Sequence, residues 1–331
     1  GKYRIALGSR GAVFAPMGNV GLVIVDEEHE WTYKQHDAAP RYHARSVAEK
    51  LCQITGATLL AGSATPDVET LRRSEIGEDE RLRLPERVGG TGYSPVEPAE
   101  RASVTVIDMR NELREGNAEL FSRALQSAMD ESLTAGERVI LFLNRRGAAS
   151  HVQCRNCGYV RRCNRCDTAL TYHRGESAEM PDNLVCHYCS RRIRYTNLCQ
   201  GCSERRLLPS GSGTQAVADE VARLFPRSGV LRWDRDVART ARAHSEVLAN
   251  FLAGGNQVLV GTQMVAKGLD IPSVGLVGVV SADTGLSIPD FRAGERAFQI
   301  LTQVAGRAGR GTDRGRAIIQ TFQPDHYAVV N

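Results

Sequence analysis

Eight of the nine cysteines fall in one stretch of the chain as four C-x2-C pairs: Cys154/Cys157, Cys163/Cys166, Cys186/Cys189 and Cys199/Cys202. A C-x2-C turn brings two thiolates close enough to grip one tetrahedral ion, and two such turns complete a four-thiolate shell. Four turns therefore make two closed sites, which predicts two structural Zn²⁺ ions and leaves no coordination position open for catalysis. The opening residues Gly1-Lys2-Tyr3-Arg4 lack the apolar core of a secretory signal. A reducing compartment is therefore expected, where paired cysteines bind metal rather than form disulfides. Nineteen residues separate Cys166 from Cys186, a usual span for a two-knuckle site. That spacing supports nested pairing, with Cys163, Cys166, Cys186 and Cys189 inside and Cys154, Cys157, Cys199 and Cys202 outside. Sequential pairing is the competing arrangement. The ninth cysteine, Cys52, lies in a helix-like run and is assigned to the core.

The segment from His151 to Arg206 holds ten Arg against five Asp or Glu. A four-thiolate zinc site carries a formal charge of about −2, so two sites cancel most of that excess and leave the segment near neutral. Tyr159, Tyr172, His173, Tyr188 and Tyr195 are interleaved with these Arg residues. Such aromatics stack on unpaired bases in some proteins and build the miniature core of small zinc folds in others. The core role is the one expected here.

Outside that segment, short Val/Ile/Leu runs alternate with helix-like stretches, the pattern of parallel strands buried on both faces and joined by helical crossovers. Strands are predicted at Val20–Val25, Thr58–Ala61, Val104–Ile107, Val139–Leu143, Val258–Val260, Leu276–Val280 and Ala317–Gln320. Helices are predicted at Arg45–Ile54, Ser122–Leu133, Ala216–Phe225, Arg239–Leu252 and Glu295–Ala305. Pro85, Pro95, Pro98 and Gly89-Gly90 mark a linker. The expected organisation is a first α/β unit over 1–86, a linker over 87–101, a second α/β unit over 102–150 and 207–331, and the double metal module over 151–206. No apolar run approaches the roughly 18 residues of a membrane span. The net charge of +4 permits a nucleic-acid partner without arguing for one. Basic residues are almost all Arg, with Lys only at Lys2, Lys34, Lys50 and Lys267, a bias ascribed to a GC-rich genome.

Four further motifs carry chemistry. Val20–Val25 runs into Asp26-Glu27-Glu28-His29. An apolar parallel strand ending in acidic residues delivers them to the carboxyl edge of a sheet, where ligands bind. There Asp26 suits nucleotide-bound Mg²⁺ and Glu27 suits the base that orients an attacking water. Gly62-Ser63-Ala64-Thr65-Pro66 follows the next strand and offers hydroxyls to that acidic cluster. Gly261-Thr262-Gln263-Met264-Val265-Ala266-Lys267-Gly268 follows the Val258 strand, and Gln303-Val304-Ala305-Gly306-Arg307-Ala308-Gly309-Arg310 lies near the C-terminus. If helical, Gln303, Arg307 and Arg310 share one face, and two guanidiniums presented together suit a transferring γ-phosphoryl group.

These four runs resemble motifs II, III, V and VI of superfamily-2 helicases. A double zinc module between Asn144-Arg145-Arg146-Gly147 and Gly211-Ser212-Gly213-Thr214-Gln215 is similar to that of the replication restart helicases. Tyr33-Lys34-Gln35, Tyr42-His43-Ala44-Arg45, Asp234-Arg235-Asp236 and Pro289-Asp290-Phe291-Arg292 extend the match over nearly the whole chain. The resemblance implies two RecA-like lobes, the first incomplete, with ATP in the cleft between them. It implies an ATP-driven, Mg²⁺-dependent 3′-to-5′ DNA helicase that recognises abandoned forks and starts reloading of the replicative helicase. Asp26, Glu27, His29, Gln303, Arg307 and Arg310 would be catalytic; Asp26, Gly268, Arg307 and Arg310 would contact the nucleotide. Implied partners are forked and single-stranded DNA, primosome and helicase-loading proteins, and single-stranded-DNA-binding protein. A monomer in the bacterial cytoplasm, associated with the nucleoid, is expected. The family also nests its zinc pairs.

One part of the pattern is missing: the chain has no G-x-x-x-x-G-K-[ST] phosphate loop. In the family that loop lies upstream of the segment resembling Gly8–Pro16, and the chain starts at Gly1 without an initiator Met, so an N-terminal truncation is expected. A chain without the loop is expected to bind ATP poorly. The alternative function is a non-hydrolysing primosome scaffold that binds forks and partners through the same fold. The intact acidic cluster and arginine pair favour the enzyme. A free-standing zinc RNA-binding protein would leave the last two motifs unexplained.

Overall fold

The computed structural model describes residues 3–36, 38–84, 102–144, 151–175, 181–209, 213–234, 237–238, 240–254, 257–262, 271, 274–308 and 315–330. The expected linker over 87–101, Gly268 and Arg310 lie outside the described residues. The chain divides into two compact units, Gly1–Pro85 and Glu86–Asn331.

The first unit contains β1 (Leu22–Val25), α1 (Ala44–Thr55), β2 (Thr58–Ala61) and α2 (Val68–Glu75). β1 and β2 pair in parallel, Leu22 opposite Thr58 and Val25 opposite Ala61. α1 buries Ala44, Ala48 and Cys52, which share one face at four-residue spacing, so Cys52 is a core residue as expected. Among the described residues this unit has two strands, and Leu22, Ile24 and Leu60 on them remain 54%, 62% and 43% exposed.

The second unit begins with β3 (Ser103–Asp108), α3 (Met109–Arg114), α4 (Arg123–Thr134) and β4 (Arg138–Leu143). The cysteine module follows, with β5 (Val152–Cys154), β6 (Thr171–His173), β7 (Asn183–Val185), β8 (Arg192–Arg194) and β9 (Leu207–Pro209). The chain then continues through α5 (Thr214–Leu224), β10 (Val230–Trp233), α6 (Ala241–Leu252), β11 (Val258–Gly261), β12 (Val274–Ser281), α7 (Asp283–Leu286), α8 (Ala293–Ala305), β13 (Arg316–Thr321) and α9 (Tyr327–Val330). Six of these strands form one sheet in the order β10-β11-β4-β12-β13-β3, all parallel.

Alternation along β4 shows why the sheet is buried on both faces. Ile140 and Phe142 join one core with Leu259, Val277, Val279 and Leu301. Val139, Leu141 and Leu143 join the other with Leu125, Met129, Val217 and Val260. α4 supplies the second core from Leu125, Ala128 and Met129 at three- and four-residue spacing. Its N-cap is Ser122, whose buried hydroxyl accepts from Leu125 N at 3.2 Å. The sequence pattern does not predict strand β10. It is an edge strand, and Arg232 interrupts its apolar run.

Because every strand of the sheet is parallel, the segments after β4, β11 and β12 leave from one carboxyl edge. The cysteine module is inserted there, directly after β4. β5 and β9 pair antiparallel at the two ends of the module, and β6, β7 and β8 form a three-stranded antiparallel sheet within it.

Candidate functional site

The acidic turn of the first unit is held from several sides. β1 ends at Val25, and the chain turns sharply because Glu27 adopts φ +47°, a left-handed conformation that a non-glycine residue enters at a cost of about 1–2 kcal/mol. Asp26 and Glu27 are exposed, whereas Glu28 and His29 are buried. Tyr33 donates its hydroxyl to Asp26 O at 2.7 Å, and Glu27 N donates to Asp26 Oδ1 at 3.0 Å. His29 Nδ1 meets Ser63 Oγ at 2.6 Å and lies 3.6 Å from Glu27 Oε2. Ser63 Oγ also accepts from Thr65 N at 2.9 Å. The hydroxyl segment after β2 is therefore bonded to the acidic turn after β1.

Glu28, which the sequence pattern does not single out, anchors this turn. Its carboxylate accepts from Asp67 N at 2.8 Å, from Arg45 Nη1 at 2.5 Å and from Thr70 Oγ1 at 3.0 Å. Arg45 also donates to Asp67 at 2.9 Å, so one buried charge is paired and fully hydrogen-bonded, as burial requires. No sequence signal separates Glu28 from its acidic neighbours; the distinction arises from which carboxylate the turn aims inward.

In the second unit, Gln303 lies in α8 but Arg307 does not. The helix stops at Ala305, and the chain continues in tight turns with Arg307 N donating to Val304 O at 3.0 Å. The shared helical face expected for Gln303 and Arg307 is thus replaced by a turn after the helix end, and Gly306, the poorest helix former short of proline, sits at that break.

The cysteines form two groups, Cys154, Cys157, Cys199 and Cys202, and Cys163, Cys166, Cys186 and Cys189, with the sulfurs of each group within 4.8 Å of one another. This is the nested pairing. Cys154 and Cys202 lie 3.7 Å apart, Cys157 and Cys199 3.6 Å, and Cys163 and Cys189 3.8 Å. A tetrahedron of sulfurs about 2.3 Å from zinc has edges of about 3.8 Å, whereas a disulfide needs about 2.05 Å. The geometry fits zinc. The thiols differ in acidity: burial pushes Cys157 up to about 12, whereas the Thr168 hydroxyl draws Cys186 down to about 6. Backbone and side-chain donors reach the sulfurs, with Gly201 N at 3.2 Å from Cys199 and Asn156 Nδ2 at 3.6 Å from Cys202. Such donors orient ligands around a metal.

The aromatics divide as the miniature-core reading expects, with two exceptions. Tyr159, Tyr172 and Tyr195 pack against Val152, Leu170, Leu184 and Leu207. Tyr172 and Tyr195 meet edge to face at 5.2 Å, and their hydroxyls bond Asp182 and Leu207 O, each at 2.6 Å. Tyr188 and His173 are exposed.

The module is fastened to the parallel sheet through a buried polar hub that sequence reasoning misses. Asp283, fully buried, follows β12 and accepts from Gln153 Nε2 of β5 at 2.8 Å. It also accepts from Phe322 N at 3.0 Å and from Thr321 Oγ1 and Gln323 Nε2, both at 3.2 Å. His151 is buried beside it, and burial pulls its pKa down to about 4. Burial likewise lowers the pKa of Arg155, whose guanidinium lies over the Phe322 ring at 5.0 Å. Gly158, in the first knuckle, has φ +75°, and a Cβ there would lie 2.2 Å from Phe322 O. One sequence signal points to Asp283: like Asp26, it is an acidic residue closing an apolar parallel strand.

The second unit is thus a parallel α/β lobe of RecA-like fold that carries two four-cysteine groups in an insert at its carboxyl edge. Residues 229–312 match the helicase conserved C-terminal domain, and residues 163–194 match the PriA DNA helicase Cys-rich region domain. The chain is 45% identical over 328 residues to the replication restart protein PriA of Bacillus subtilis, covering 99% of this chain and 39% of that protein. It is 43% identical over 333 residues to PriA of Synechocystis, with 99% and 39% covered. For PriA of Treponema pallidum the identity is 41% over 329 residues, with 99% and 47% covered. The chain is similar to these PriA proteins over nearly its whole length, and it spans less than half the length of the three relatives.

Proposed function

We propose that the protein is an ATP-dependent 3′-to-5′ DNA helicase that recognises stalled replication forks and initiates primosome assembly for replication restart. The observation that carries this reading is the acidic turn, where two exposed carboxylates stand at the carboxyl end of β1 and His29 is bonded to Ser63 at 2.6 Å. Oxygen donors on a rigid turn suit Mg²⁺, and Mg²⁺ bound with ATP supplies charge neutralisation for phosphoryl transfer. Asp26 would hold Mg²⁺, and Glu27 would orient the attacking water and take its proton. Glu28 and Arg45 keep the turn in place. His29 links the state of the turn to the Ser63 segment. Gln303, Arg307 and Arg310 act on the phosphates, and Gly268 is assigned to the nucleotide-contacting residues.

The names of the relatives support the cellular role: each of the three is a replication restart protein. In that role the partners are forked and single-stranded DNA, helicase-loading proteins of the primosome and single-stranded-DNA-binding protein. The full-length protein, given duplexes with a single-stranded tail on one end, should unwind those with a 3′ tail in the presence of ATP and Mg²⁺. Unwinding only from a 5′ tail, or none on tailed and forked substrates alike, would overturn the proposal.

A further inference from the structure

The most exposed large apolar side chain described in the second unit is Phe291, at 88%. It is not a loose ring on a loose loop. Asp290 fixes the turn on both sides of it: Oδ1 accepts from Arg292 N at 2.9 Å, Oδ2 from Arg296 Nη1 at 2.6 Å, and O from Ala293 N at 3.0 Å. α8 starts at Ala293, so Phe291 projects from a locked turn immediately before a helix. The Arg292 guanidinium lies 5.4 Å from the centre of the ring.

The turn has a defined place in the lobe. It follows β12 and α7, so it lies at the carboxyl edge of the sheet, the edge from which the segments after β4 and β11 also leave. Ligands of parallel α/β sheets bind at that edge. α8 has 13 residues, a length of about 20 Å, and this separates Phe291 from the Gln303–Arg307 end. Phosphate chemistry at that end gives Phe291 no role.

We propose that Phe291 is a stacking platform for an unpaired base of single-stranded DNA; this rests on the helicase reading above. The guanidinium lies over one face of the ring, so a base would stack on the opposite face with the positive charge close by for its neighbouring phosphate. Contiguous apolar patches of several hundred Å² are what mark a protein-docking surface, whereas a single ring suits a single base. Tyr327, an exposed ring on α9, abuts Gly294 near the start of α8 with its hydroxyl end.

The test uses the full-length protein and its Phe291→Ala and Phe291→Trp variants. Binding to an oligo-dT strand and to an abasic strand of equal length is measured by anisotropy at one fixed salt concentration. Stacking on one aromatic predicts a loss of about 5- to 100-fold for the alanine variant on oligo-dT, and no change on the abasic strand. The tryptophan variant should retain affinity. Its added fluorescence, taken as the difference from the wild type, should be quenched by oligo-dT but not by the abasic strand. Equal affinity of wild type and Phe291→Ala for oligo-dT would overturn the inference. So would blue-shifted emission from the introduced indole before DNA is added, since that places the ring under another part of the protein. Failure of the wild type itself to bind oligo-dT would overturn the helicase reading instead.

Discussion

Asp283→Ala should release the cysteine module from the sheet. The carboxylate is fully buried and receives bonds from Gln153, Thr321, Phe322 N and Gln323 at 2.8–3.2 Å. Each donor left without a partner costs about 1–3 kcal/mol. Thr321 and Gln323 can turn toward water that enters the vacated space, whereas Phe322 N is fixed in the backbone. Two donors that cannot recover give a loss of about 3 kcal/mol by that rule, concentrated at the contact between β5 and the end of β13. Asp283→Asn keeps one acceptor and should cost about half as much. The assay is guanidinium unfolding followed in parallel by far-ultraviolet circular dichroism and by zinc release to a chromogenic chelator. In the wild type the two curves should run together; in Asp283→Ala zinc release should come first. Coincident curves with a wild-type midpoint would refute the view that Asp283 fastens the module.

Other outcomes follow from the same structure. Elemental analysis should find two zinc ions per chain, and Cys163→Ser should reduce the count to one, because the two sites share no ligand. Gly158→Ala should destabilise the protein by more than the about 1–2 kcal/mol of a left-handed alanine, since the added Cβ would lie 2.2 Å from Phe322 O; a milder effect in a melt means that knuckle is not seated at the end of β13. His151 titrates at about 4 when folded against an ordinary 6.5. Below about 6.5 the unfolded chain takes up the proton first, so stability should be present at neutral pH and fall as the pH drops from about 6.5 to 4, by up to about 3 kcal/mol. His151→Phe should flatten that segment of the stability profile. Arg45→Ala should leave Glu28 buried without its cation and lower the melting temperature, at a cost of about 3–5 kcal/mol.

How much of the fold is legible in the sequence depends on whether a pattern has one physical cause. β4 and β12 are continuous apolar runs because both of their faces are covered, and few other arrangements produce such runs. β10 has Arg232 at an edge, so its run is too broken to stand out. The C-x2-C spacing announces two sites, because a two-residue gap sets the bite of a thiolate pair, but it leaves the choice between nested and sequential pairing to the fold. In Asp26-Glu27-Glu28-His29 the residue types are plain and their directions are not. Glu27's left-handed φ and the inward aim of Glu28 arise from contacts with Gly62, Asp67 and Arg45, residues far away along the chain. Asp283 is hidden for the same reason: three of its four partners lie at the end of β13 and just past it, and the fourth is 130 residues upstream.

The central claim, that the acidic turn hydrolyses ATP, is tested most directly by Glu27→Gln in the full-length protein. Phosphate release stimulated by forked DNA should fall by about 10²- to 10⁴-fold, the usual share of a general base, while fork affinity stays at the wild-type value. Hydrolysis that survives the substitution would contradict the role given to Glu27, and a wild-type protein that binds forks without hydrolysing ATP would contradict the enzyme itself.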